Sequence, residues 1–119
     1  MKVLFENIEE NLSSENAKKV ASFIRSRQQE IFDFTCELIR TPSINPPGDE
    51  TAVAAVIQKR LQKLGVENVK ILSSQESRPN VLAEVSGKEA GKRVMFSGHI
   101  DTKPAGDLTQ WKTDPLDAV

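Results

Sequence analysis

The chain has 119 residues, enough for one compact domain, and with 38% hydrophobic and 28% charged residues its composition is that of a soluble protein, outside the disordered range. Sixteen basic against 17 acidic side chains give a formal net charge of -1, so no overall field draws the chain to nucleic acid or to an anionic membrane. The first ten residues lack the basic and apolar regions of a secretory signal, no apolar run approaches the roughly 20 residues that cross a bilayer, and a single cysteine excludes an intrachain disulfide; together these fit a cytoplasmic protein.

Asn11-Leu12-Ser13 matches a glycosylation sequon, which without a signal peptide reads as a chance match. Over residues 15–40 the apolar positions Val20, Ile24, Ile31 and Leu38 recur at spacings of four and seven, widened by Phe23, Phe34 and Ile39. That period predicts one long amphipathic helix, stopped at Thr41-Pro42 because proline disfavours a helical predecessor and has no N–H to donate. Cys36 lies in the apolar stripe and reads as a small buried hydrophobe rather than a nucleophile, since His99, the one histidine, is 63 residues away on another element.

The next segment, Ser43-Ile44-Asn45-Pro46-Pro47-Gly48, is stiff and turn-rich. Asp49 can accept from the free amides of a second helix, whose stripe is Val53, Val56, Ile57, Leu61 and Leu64 and which Gly65 ends in a left-handed conformation. The period then falls to two: Val69 and Ile71 mark one strand, and Val81, Ala83 and Val85 share a face of the next. After a flexible charged connection over residues 87–91, Val94-Met95-Phe96 is an unbroken apolar run that predicts an interior strand covered on both faces. Two helices and about three strands point to an α/β layer.

Chemistry concentrates at Ser97-Gly98-His99-Ile100-Asp101-Thr102, where the apolar run ends and where α/β proteins tend to bind ligands. In extended backbone His99 and Asp101 project to the same side, so a carboxylate can accept a hydrogen bond from one imidazole nitrogen while the other nitrogen meets a metal. On spacing alone the pair more often marks a surface or core histidine followed by a turn-forming acid than a metal site, and composition leaves both open. No glycine-rich phosphate-binding sequence follows any strand.

Residues 93–116, with Gly98-His99-Ile100-Asp101-Thr102, Pro104-Ala105-Gly106-Asp107, Trp111 and Asp114-Pro115, closely resemble the first metal motif of peptidase family M20. That family includes acetylornithine deacetylase, succinyl-diaminopimelate desuccinylase, aminoacylase and glutamate carboxypeptidase. Residues 37–50 resemble the family's opening helix and proline-rich loop, in the expected order upstream. The resemblance implies a zinc-exopeptidase-like α/β sandwich of helices on a mostly parallel, mixed sheet, with the first two helices and about three strands present. It divides the chain into an amino-terminal helical extension over residues 1–21 and an incomplete catalytic domain over residues 22–119.

By the same resemblance His99 is a ligand of one zinc and Asp101 the active-site aspartate that orients it. The implied cofactor is a pair of zinc ions, with cobalt or manganese as substitutes, and the implied reaction is hydrolysis of an amide bond in a small acyl-amino-acid or peptide substrate. The implied parent is a longer, cytoplasmic enzyme, compatible with a homodimer, that binds neither nucleic acid nor membrane. The bridging carboxylate, the general base and the other ligands of the family lie later than residue 119, so the chain alone is expected to be inactive. A competing expectation is a non-catalytic α/β interaction module with a relic metal motif. Lys103 replaces the family's usual apolar residue and is either a subgroup mark or a solvated side chain. Trp111 either lines the approach to the site or packs beneath the loop, and Asp107 and Asp114 are read as turn and cap residues.

Overall fold

The computed structural model describes residues 14–118 and divides into two compact units at the Glu37–Leu38 junction. The sequon at residues 11–13 and most of the expected amino-terminal extension lie outside the described residues.

The single helix expected over residues 15–40 is two helices, α1 (Glu15–Ser26) and α2 (Gln28–Ile39). The break has a local cause. In an unbroken helix the Phe23 carbonyl would accept from the Arg27 amide four residues on, but the Ser26 hydroxyl donates to that carbonyl at 2.7 Å. The Arg27 amide turns to Ile24 O at 3.0 Å, and its backbone leaves the helical region at φ -108°, ψ 11°. Arg27 O then accepts from the Ile31 amide at 3.0 Å and α2 begins. The apolar stripe identified in the sequence is largely solvent-facing, with Val20, Phe23 and Ile31 all exposed, while Cys36 is buried and carries a free thiol as expected.

Helix α3 (Thr51–Lys63) starts where Asp49 Oδ1 accepts from the Thr51 amide at 3.0 Å, and the chain turns at Gly65 with φ +82°. Val53 and Ala54 are its buried residues, with Val56, Ile57 and Leu61 half-buried. It packs on a hairpin of β1 (Asn68–Ser73) and β2 (Pro79–Glu84). The register pairs Val69 with Ala83 and Ile71 with Val81, which puts the alternating apolar residues on one face.

The fold is α/β, and its two described strands pair antiparallel, because the five residues between them suffice for a hairpin and a parallel crossover needs a dozen or more; the expected mostly parallel, mixed sheet has no parallel strand pair among the described residues. The third strand expected at residues 94–96 is not formed among the described residues: Val94, Met95 and Phe96 are 77%, 85% and 94% exposed, and no strand pairs with them. A strand needs a ladder partner for its amides and carbonyls, so an apolar run alone does not make one. Phe96→Ser is therefore expected to change the unfolding free energy by less than about 0.5 kcal/mol in a urea titration, as at other exposed sites. A loss of about 3 kcal/mol or more would mean that the ring is covered.

Among the described residues no helix is long and apolar enough to cross a membrane.

Candidate metal-binding segment

Two stretches far apart in sequence meet at His99 and Asp101. The loop after α2 runs beside residues 100–102 as an isolated parallel bridge between Ile44 and Thr102. The Asn45 amide donates to Thr102 O at 2.8 Å, and the Thr102 amide donates to Ser43 O at 2.9 Å. The Ser43 hydroxyl, on a buried residue, adds a third tie to Ile100 O at 2.8 Å. The loop closes on itself through the Gly48 amide, which donates to Ile44 O at 3.1 Å, and both prolines after Asn45 follow cis peptide bonds.

Beside this clamp the side chains of His99 and Asp101 meet. His99 Nδ1 lies 3.0 Å from Asp101 Oδ1 and 2.7 Å from Asp101 O. Both neighbours are acceptors, so Nδ1 carries the proton and donates, which leaves the lone pair on Nε2. The imidazole is 83% exposed and the carboxylate 24% exposed, so the acid is held by protein while the ring faces solvent. The other carboxylate oxygen, Oδ2, accepts from Asn45 Nδ2 at 2.8 Å. That hydrogen bond is the main cause that holds the Asp101 carboxyl below its ordinary pKa; burial opposes it, and the His99 hydrogen bond and charge add smaller lowering effects. Asp101 is thus an ionised acceptor with both oxygens engaged.

Asn45 and Ser43 were not picked out in the sequence as site residues. Their signal was the proline-rich loop itself, which pattern could label stiff but could not place beside a segment more than 50 residues away.

The remaining polar residues behave as turn formers. Asp107 Oδ1 accepts from the Thr109 amide at 3.0 Å and its hydroxyl at 2.7 Å, capping a short 3-10 turn at Leu108–Gln110, and these bonds lower its pKa. Asp114 Oδ1 accepts from the Leu116 amide at 2.8 Å. Trp111 donates from Nε1 to Ala105 O at 2.9 Å and lines a cleft of about 790 Å³ with Pro42, Ile44, Thr102, Pro104 and Leu108. His99 and Asp101 do not line that cleft, and Trp111, which lines it, is half exposed, as is much of the loop that includes the exposed Lys103.

Among the described residues no three His, Cys, Asp or Glu side chains gather as a metal-binding group. The donor set therefore suits one ligand of a centre, an imidazole with a free Nε2 and a supporting carboxylate, and falls short of the three or four protein ligands that zinc takes.

Comparison with known proteins decides the family. The chain is 36% identical over 82 residues to succinyl-diaminopimelate desuccinylase of Xanthobacter autotrophicus, a match covering 67% of this chain and 21% of that protein. It is 34% identical over 83 residues to the enzyme of the same name from Methylocella silvestris, covering 67% of this chain and 20% of that protein. The chain belongs to peptidase family M20. A third match is N-formyl-4-amino-5-aminomethyl-2-methylpyrimidine deformylase of Halalkalibacterium halodurans, 28% identical over 105 residues, 86% of this chain and 24% of that protein. This M20 chain thus spans about a fifth to a quarter of the length of the curated relatives it matches. No family model matches it, and no solved structure does.

Proposed function

We propose that this chain provides the first metal-binding segment of a zinc-dependent hydrolase that cleaves amide bonds in small acyl-amino-acid or peptide substrates in the cytoplasm. The observation that carries the reading is the His99–Asp101 contact at 3.0 Å, with the imidazole exposed and its Nε2 free. The names desuccinylase and deformylase among its relatives support hydrolysis of an acyl-amide.

In this reading His99 holds a zinc ion through Nε2, and Asp101 keeps the ring in the Nδ1-protonated tautomer and raises its basicity as a ligand. When bound, zinc polarises the scissile carbonyl and makes its water a nucleophile at neutral pH. Asp101 stays ionised through both of its hydrogen bonds and so holds the proton on Nδ1 rather than taking it. The exposure of the ring leaves room for substrate and for the other ligands that the centre requires.

The test is zinc content of the full-length parent protein together with its hydrolysis of a panel of N-acyl amino acids, before and after chelation. Stoichiometric zinc with chelator-sensitive hydrolysis supports the reading. A protein that folds well, binds no zinc and hydrolyses none of the panel supports instead a non-catalytic interaction module.

A further inference from the structure

The Asn45 side chain does something that its backbone does not. Its amide N–H already closes the clamp onto Thr102 O, and Ser43 supplies two more ties through its carbonyl and its hydroxyl, so the loop is fastened without any side chain from Asn45. The carboxamide is spent elsewhere, on Asp101 Oδ2 at 2.8 Å. Its oxygen faces the opposite way: a Cβ placed on Gly48 would lie 3.3 Å from Asn45 Oδ1. A carboxylate accepts and cannot donate, so the NH₂ end is the end that must face Asp101.

A carboxylate bonded through one oxygen alone can rotate about its terminal torsion, which is broad and soft. With Oδ2 held by Asn45 and Oδ1 by His99 that rotation is stopped, and the imidazole is fixed through the acid. The loop that carries Asn45 is itself braced. Glu50, nearly fully buried, pairs with Arg78 Nε at 2.9 Å, and the Arg78 guanidinium lies against Gly48.

We infer that Asn45 is a positioning residue: it locks the Asp101 carboxylate so that His99 keeps its proton on Nδ1 and presents the Nε2 lone pair outward. The consequence for metal affinity rests on the function proposed above, whereas the orientation of the imidazole does not.

The chain has one histidine, so a long-range proton–nitrogen correlation spectrum of the metal-free protein reports a single ring. Wild type is expected to show a protonated Nδ1 and an unprotonated Nε2. In Asn45→Leu, similar in shape but without a donor, the two nitrogen shifts are expected to move toward each other as the tautomers mix. In an Asp101→Asn background the same substitution is expected to add no further change. If Asn45→Leu does not fold, Asn45→Asp carries the test, since it keeps the shape, removes the donor and sets a like charge against Asp101. An unchanged ring spectrum in whichever of these variants is folded overturns the proposal.

Zinc titration of the full-length parent gives the second readout, with about 10-fold weaker binding expected in Asn45→Leu, the low end of the range for residues behind a metal ligand. A full-length parent that binds no zinc, beside a chain that shows the spectral changes, would sink the proposed function and leave Asn45 in its role. Normal zinc binding with an unchanged ring in the variant would do the reverse.

Discussion

In the full-length parent, His99→Ala is expected to lose stoichiometric zinc and all chelator-sensitive hydrolysis while keeping its helical circular dichroism. The reason is that the imidazole is 83% exposed and contributes no packing, so removing it deletes the proposed ligand without opening a cavity. Asp101→Asn is the informative companion. Asp101 accepts on both oxygens, from His99 Nδ1 and from Asn45 Nδ2. An asparagine there has one accepting atom and one NH₂ group, so whichever way it turns, a donor confronts a donor. Zinc affinity is expected to fall about 10–100-fold, the usual loss when the partner of a metal-bound histidine is removed. Equal zinc affinity in wild type and both variants, measured by competition with a chelating dye, would remove His99 and Asp101 from the metal site.

Gly48→Ala is expected to destabilise the fold by about 3–5 kcal/mol, through an ion pair rather than through the glycine alone. Gly48 has φ +84°, a conformation that costs an alanine about 1–2 kcal/mol, and a Cβ there would collide with Arg78 Nη1 and stand 2.9 Å from Arg78 Cζ. Moving the guanidinium away strands the Glu50 carboxylate, which is 4% exposed and whose Oε1 already has no partner among the described residues. A buried charge left alone is the costly part. Gly65→Ala is the control: its φ is +82°, but nothing lies within 4 Å of the added carbon, so the conformational cost of about 1–2 kcal/mol stands by itself. Urea midpoints that fall equally in the two variants would show that the Arg78–Glu50 pair does not brace the loop.

Much of the secondary structure was legible because its signals are local. Residues 51–63 carry a 3.6-residue apolar period, an acid before the first turn and a glycine after the last, and each appears in the structure as read. Val69, Ile71, Val81 and Ala83 alternate, and the register places them on one face. The break at Arg27 was not legible, since it turns on whether the Ser26 hydroxyl or the Arg27 amide takes the Phe23 carbonyl, and periodicity does not register that competition. The apolar run at residues 94–96 misled for a related reason: hydrophobicity says that a segment can be covered, and only a neighbouring strand makes it one.

The sequence by itself determined the family, through the order and spacing of the proline-rich loop and the Gly-His-Ile-Asp-Thr segment, and it determined that His99 and Asp101 could meet, because extended backbone repeats its side-chain direction every two residues. Tertiary structure alone decided which nitrogen of His99 carries the proton and what holds Asp101 in place. Those depend on a clamp between residues 43–45 and 100–102, and a hydrogen bond across more than 50 residues of chain leaves no periodic trace in the sequence that makes it.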